Sequence, residues 1–196
     1  MPVPSQTFVV FDGTRHRVRP LDPAAFRQQL EFEEHRQLLD HWVAIRGSHP
    51  QPRRADFDPA AVQGILPHVG LMDVVPPGPR FRYRLLGTAL ERRFGRRVSG
   101  SFVDAVVDRA YADYLNGIYR ACVTGRVPMF VAECSTFLSD YPLFRYRLLL
   151  PMSSDRDAID MILYSTISDS DISFDRAQPT RQMRRPDPFR AYCLGD

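Results

Sequence analysis

The chain has 196 residues, 44% of them hydrophobic and 25% charged, which suits one ordinary globular domain with arms at its ends. All 26 basic residues are arginine, so lysine chemistry is excluded: Schiff bases, pyridoxal phosphate anchoring and phosphate loops ending in GKS or GKT. The net charge of +3 is too small to demand a nucleic-acid partner, and no apolar run reaches the roughly 18 to 20 residues of a membrane span. The first residues, MPVPSQTFVVFDG, lack a secretory pattern, so the chain reads as cytoplasmic.

Residues 1–21 form an N-terminal arm in which Asp12-Gly13 predicts a hairpin over residues 8 to 18. A long helix is predicted from Pro23 to Arg46, with Asp22 as N-cap, Pro23 at the first position and Gly47 as the stop. Phe32, Leu39, Trp42, Val43 and Ile45 share one stripe of it, with Leu38 at the margin. Phe26 and Leu30 fall on another face. Either that face meets a second subunit, with Phe26, Leu30 and Trp42 as interface candidates, or the helix breaks near Leu30.

Asp58-Pro59 opens a short helix that Pro67 ends. Strands are expected at 69–75 and 81–86 around a PPGP turn. A short helix, ALERRF, follows Gly87-Thr88 and stops at Gly95. The clearest helix is 104–124, with Val107, Tyr111, Tyr114, Ile118 and Ala121 inward. Gly125 and Pro128 end it. Strands at 129–138, 142–150 and 158–168 come next, then a polar, proline-dotted tail over 170–196.

The hexapeptide FRYRLL occurs at 81–86 and again at 144–149, with unrelated flanks, so no domain is duplicated. Strand alternation puts Phe, Tyr and the first Leu on one side and both arginines on the other. Each copy thus asks for a core on one face and a polar surface, or an acidic partner, on the other.

The blocks WVAIRG (42–47), PRRADFDP (52–59), ILPHVGLMDV (65–74), FRYRLLGT (81–88), FGRRVSG (94–100) and LLLPMSSD (148–155) together resemble a bacterial PAS-like family widespread in alphaproteobacteria. The resemblance covers about residues 40 to 170. It implies an α+β fold: a five-stranded antiparallel sheet with helices on one face around a small pocket. The N-terminal helix (22–47) would cover the outer face of a PAS-like domain at 48–169. The first FRYRLL strand would lie at a sheet edge, the second nearer the other edge, with no direct pairing.

Within that frame Tyr83, Phe94, Phe102, Tyr111, Tyr114 and Ile118 are the pocket candidates. Arg80 to Arg97 is the densest basic stretch, and Arg84, Arg92, Arg93, Arg96 and Arg97 are the candidates for gripping an anion. The ligand itself is unknown. Haem is disfavoured because 104–124 holds no histidine, and a photoactive flavin because ALERRFGRRVSG holds no cysteine. His35 and His41 point about 120° apart on a helix, and His16, His49 and His68 are isolated, so no metal site is expected. Cys122, Cys134 and Cys193 match no metal spacing and read as reduced and mostly buried.

The resemblance implies a stand-alone sensory and regulatory module. It would act on a regulatory protein partner, as a homodimer, with or without a small-molecule ligand. Two other classes fit the residues: a small α+β enzyme acting on an anionic small molecule, and an arginine-rich nucleic-acid binder, the latter disfavoured because no readout motif is present.

Overall fold

The computed structural model describes residues 7–136, 141–171 and 189–195. The arm forms the expected hairpin: β1 (Phe8–Phe11) and β2 (Thr14–Arg17) pair antiparallel. Asp12 and Gly13 hold φ of 49° and 71°, the left-handed turn that matches strand twist. Val9, Phe11 and Val18 are buried, so the hairpin is part of the core. β3 (Arg19–Leu21) follows.

The single long helix is two. Asp22 caps α1 (Pro23–Gln29), its carboxylate accepting from the Ala25 N–H at 2.9 Å. Leu30 then turns extended (φ −75°, ψ 107°), and α2 (Glu33–Arg46) starts afresh, with Glu33 and Glu34 in its positive first turn. Gly47, at φ 57°, stops it as predicted.

The break re-aims the chain. Phe26, Leu30 and Trp42 are 0%, 0% and 1% exposed, and all pack in the layer beneath α1 and α2 with Leu38 and Leu39. The Trp42 indole N–H donates to the Pro151 carbonyl at 3.0 Å. The three interface candidates are therefore spent inside the chain and offer no face to a second copy. A straight helix would have left Phe26 and Leu30 stranded in water; the break lets both helices bury their apolar residues on one sheet face.

The central strands are β4 (Val69–Val75), β5 (Arg80–Leu86), β6 (Met129–Ser135), β7 (Leu143–Met152) and β8 (Met161–Ser168). The sheet has seven strands, not five: β3-β9-β6-β7-β8-β4-β5. The addition comes from the segment read as a tail. β9 (Phe189–Leu194), FRAYCL, alternates buried and half-buried residues and pairs antiparallel with β6. β3 lies parallel on β9. Together they cover the β6 edge, which would otherwise present a row of unpaired backbone groups. Arm and tail are thus structural members of the domain. The expected strand end at 138 falls outside the described residues.

α3 (Thr88–Phe94) and α4 (Arg109–Gly125) cover the opposite sheet face from α1 and α2. Asp108 caps α4 by accepting from the Tyr111 N–H at 3.0 Å. Two apolar layers result, one on each side of the sheet. Cys122 and Cys193 are buried and Cys134 is half-buried.

The two FRYRLL copies are used in opposite senses. β5 is an edge strand, as expected, and turns Phe81 and Tyr83 toward α4. β7 is the middle strand of the seven and turns Tyr146 and Leu148 toward α1 and α2. Its Arg145 and Arg147 point the other way, into the α4 layer. The expected polar surface does not exist at β7, because β6 and β8 flank it and helices cover both faces. In β5 a bulge breaks the alternation: Leu71 faces Leu85 but Met72 faces Tyr83, leaving Arg84 as the extra residue. Leu85 is consequently 58% exposed while Leu86 is buried.

Candidate functional site

The α4 side of the sheet holds a small, half-open cavity of about 40 Å3. That is room for roughly three waters, or a ligand of about three to five non-hydrogen atoms. Its walls come from five elements. β5 supplies Tyr83, α3 supplies Leu90, Arg93 and Phe94, and α4 supplies Tyr111, Leu115 and Tyr119. β7 supplies Arg145 and Arg147, and β8 supplies Tyr164 and Thr166.

The polar half is built around β7. Arg147 Nη1 lies 2.7 Å from Glu133 Oε1 of β6, and the two side chains are 4% and 0% exposed. Arg147 also donates to the Tyr111 hydroxyl. Its guanidinium carbon sits 5.7 and 5.9 Å from the Tyr111 and Tyr114 rings, which stack on each other. Arg145 is opposite Glu133 in register and donates to Ser135 Oγ at 2.8 Å. Arg93 enters from α3, donating to Asp171 and, at 3.1 Å, to the Thr166 carbonyl. Asp171 is itself held by the Ser168 N–H at 2.7 Å and hydroxyl at 2.8 Å, with His68 Nδ1 at 3.8 Å.

Burial sets the charge states. It opposes ionisation of Arg147, but Glu133 and the neighbouring tyrosines outweigh it, so Arg147 holds its proton more tightly than an ordinary arginine. Burial pushes the Glu133 carboxyl upward, and Arg147 opposes that shift. Burial also lowers Arg93 and Arg145, with Asp171 opposing the shift at Arg93. Tyr83, Tyr119 and Tyr164 are raised by burial and remain neutral hydrogen-bond donors.

Of the six pocket candidates, Tyr83, Phe94 and Tyr111 line the cavity. Tyr114 stacks behind Tyr111, and Ile118 is fully buried core. Phe102 is elsewhere: the segment around it bridges to Arg82 on the open side of β5, and its ring lies 3.9 Å under the Arg80 guanidinium. It covers an edge and lines no pocket.

The anion candidates are not brought together. Only Arg93 reaches the cavity. Arg84 pairs with Asp73 at 3.2 Å on the exposed edge, beside Arg82 on the same carboxylate at 2.9 Å. Arg92, Arg96 and Arg97 are exposed. The cluster fails because α3 turns Arg93 inward while its neighbours point to solvent, as helical spacing requires. The two central cations, Arg145 and Arg147, were missed. They sit in a strand read as half-exposed, and the available signal was Glu133, a lone acid in the apolar run MFVAEC.

The sequence model of the PAS domain matches residues 22–165, well over half of the chain. The chain belongs to the PAS-domain family. The match starts at Asp22, so α1 and α2 fall within the family's own boundaries. No curated protein and no solved structure matches the chain. In this PAS domain the first family strands, β4 and β5, close one end of the sheet, and β9 and β3 extend the other. Among the described residues no helix is long and apolar enough to cross a membrane.

Proposed function

We propose that this PAS domain is a cytoplasmic sensory module that passes the occupancy of its β7-centred cavity to another protein. The observation that carries this reading is the buried set of Arg93, Arg145 and Arg147 with Tyr83, Tyr111, Tyr119 and Tyr164 around a cavity. Burying guanidinium groups costs several kcal/mol each unless other interactions compensate. A core built only to fold would be better served by apolar residues of the same volume. Retaining the cations in a walled space is what a binding site requires.

The route outward starts at Arg93. Its pairing with Asp171 links the cavity wall to the chain that leaves β8 and, through His68, to the segment preceding β4. A tenant that draws on Arg93 changes how firmly those two segments are held, and that difference is the output. The sequence blocks resemble a PAS-like family common in alphaproteobacteria, and that resemblance supports a regulatory role.

Native mass spectrometry of freshly purified protein tests the reading. The expected result is a stoichiometric added mass that is lost on denaturation and lost in Arg147→Met. An unliganded mass for wild-type protein, with no small molecule recovered from a metabolite mixture, removes the sensory reading and leaves a filled core.

A further inference from the structure

We infer that the tenant of the cavity is a neutral molecule with one acceptor oxygen on a short apolar body, of the type of a small ketone. This deepens the sensory reading above and rests on it. The carrying observation is a set of three phenols. Tyr83 of β5, Tyr119 of α4 and Tyr164 of β8 line the space and are 2%, 2% and 4% exposed. None of their hydroxyls has a hydrogen-bond partner among the described residues. A buried tyrosine hydroxyl normally finds one, and three that share one space without one point to a common guest. The rings of Tyr119 and Tyr164 lie 6.4 Å apart. The distal end of the Tyr164 ring rests over Gly70, its cross-strand partner, where any Cβ would collide with it.

The ions nearby bear on the tenant's charge. Arg147 lies against Glu133 at 2.7 Å, Arg93 donates to Asp171, and Arg145 donates to Ser135 Oγ at 2.8 Å, so each cation on the wall is already engaged. An anion would have to draw a guanidinium group away from its partner, and a cation would meet three like charges. A neutral dipole does neither: its oxygen end lies toward the cations while they stay paired. The three phenols are kept neutral by burial and bring no charge of their own.

The wall also bears on the tenant's polarity. It is made of hydroxyl and guanidinium donors, and no carboxylate lines it. A carbonyl oxygen accepts two donors and brings none, whereas an alcohol adds a hydrogen and an ammonium group accepts nothing. Leu86, Leu90, Phe94 and Leu115 face the same space, so a hydrocarbon body suits it better than a cluster of waters. The volume of about 40 Å3 limits the part held inside to about three to five non-hydrogen atoms.

Isothermal titration of the full chain with 2-butanone, 2-butanol, propionate and sec-butylammonium, all of one size, tests this. 2-Butanone is expected to bind one per chain with a dissociation constant on the order of 1 mM, as befits so few atoms. 2-Butanol is expected to bind about threefold more weakly, and the two ions roughly tenfold or more. Tyr83→Phe, Tyr119→Phe and Tyr164→Phe each remove one hydroxyl and nothing else. Each is expected to weaken 2-butanone by roughly three- to tenfold, and to leave the melting temperature of the unliganded chain unchanged or raised, since no protein hydrogen bond is lost. A hydroxyl with a structural role would lower the melting temperature and leave the affinity alone.

Propionate binding as well as 2-butanone overturns the neutral tenant, sec-butylammonium doing so overturns the donor wall, and 2-butanol doing so overturns the choice of a carbonyl. Wild-type affinity in all three phenylalanine variants overturns the assignment to the phenols. No binding of 2-butanone at about 50 mM overturns the inference as a whole. If native mass spectra then still show a tenant of other chemistry, the sensory reading stands and only the neutral carbonyl falls. If they show none, both fall.

Discussion

Tyr83 and Arg147 line the same cavity, although one is the third residue and the other the fourth of two identical hexapeptides. The two strands present opposite faces of the same recipe to α4. On β5 the aromatic face turns in and the arginines reach Asp73 at the open edge. On β7 the arginine face turns in, because the aromatic face is taken by α1 and α2. A sheet with helices on both sides has no polar face for a central strand, so its arginines must be paired in the core or serve a ligand.

The buried pair can be dissected. Arg147→Met leaves Glu133 without its cation in a fully buried position and is expected to cost about 3 to 5 kcal/mol. Adding Glu133→Leu removes the stranded charge, and the double variant is expected to recover most of that loss. Urea denaturation of both variants measures it. A double variant no more stable than the single would contradict the pairing.

Leu30 separates the observed helix break from a dimer face. Leu30→Ala is expected to destabilise by about 2 to 5 kcal/mol, as a fully buried leucine does. The melting temperature of wild type and variant should not depend on protein concentration in any way that Leu30→Ala abolishes. A concentration-dependent melt that the substitution removes would restore Leu30 to an interface.

Gly70 links the backbone to the cavity. A Cβ placed there would lie 2.3 Å from the Tyr164 ring, so Gly70→Ala must displace Tyr164, which lines the cavity. The expected cost is about 1 to 3 kcal/mol, with loss of the tenant at temperatures where the fold persists. Retained binding at wild-type strength would show that Tyr164 does not shape the site.

How much of this was readable beforehand follows from where each residue's environment is decided. Local chemistry was legible: Asp12-Gly13 gave the hairpin, Asp22 the start of α1, Gly47 the end of α2, and residue alternation the five central strands. Long-range pairing was not. FRAYCL is an ordinary alternating strand, but nothing local says that β6 has an open edge for it. Tyr83 and Tyr111 were found because helix and strand periodicity point them inward. Arg145 and Arg147 were missed because a charge normally marks the outside, and only the depth of β7 in the sheet reverses that rule.

Acid should loosen the outer layer. His35 is buried in α2 with Nε2 3.2 Å from Ser165 Oγ, and burial, reinforced by His68, lowers its pKa from 6.5 to about 3. Burial lowers His68 as well. A histidine depressed in the folded state prefers to stay neutral there, so its stabilising contribution is intact above about pH 6.5. It is lost progressively as pH falls toward 3, by at most about 1.4 kcal/mol per pH unit for one proton. Guanidinium melts between pH 7 and 4 are expected to show the decline, and His35→Leu to flatten it. An unchanged slope in the variant would assign the acid sensitivity to other groups.

The central claim is that β7 arginines and Arg93 receive a ligand. The direct measurement is the 15N shift of arginine side-chain Nε–H groups during titration with a mixture of small metabolites. The account predicts saturable shifts at Arg93, Arg145 and Arg147, with Arg92, Arg96 and Arg97 unmoved. Shifts confined to those three exposed arginines, or none that saturate, would contradict it.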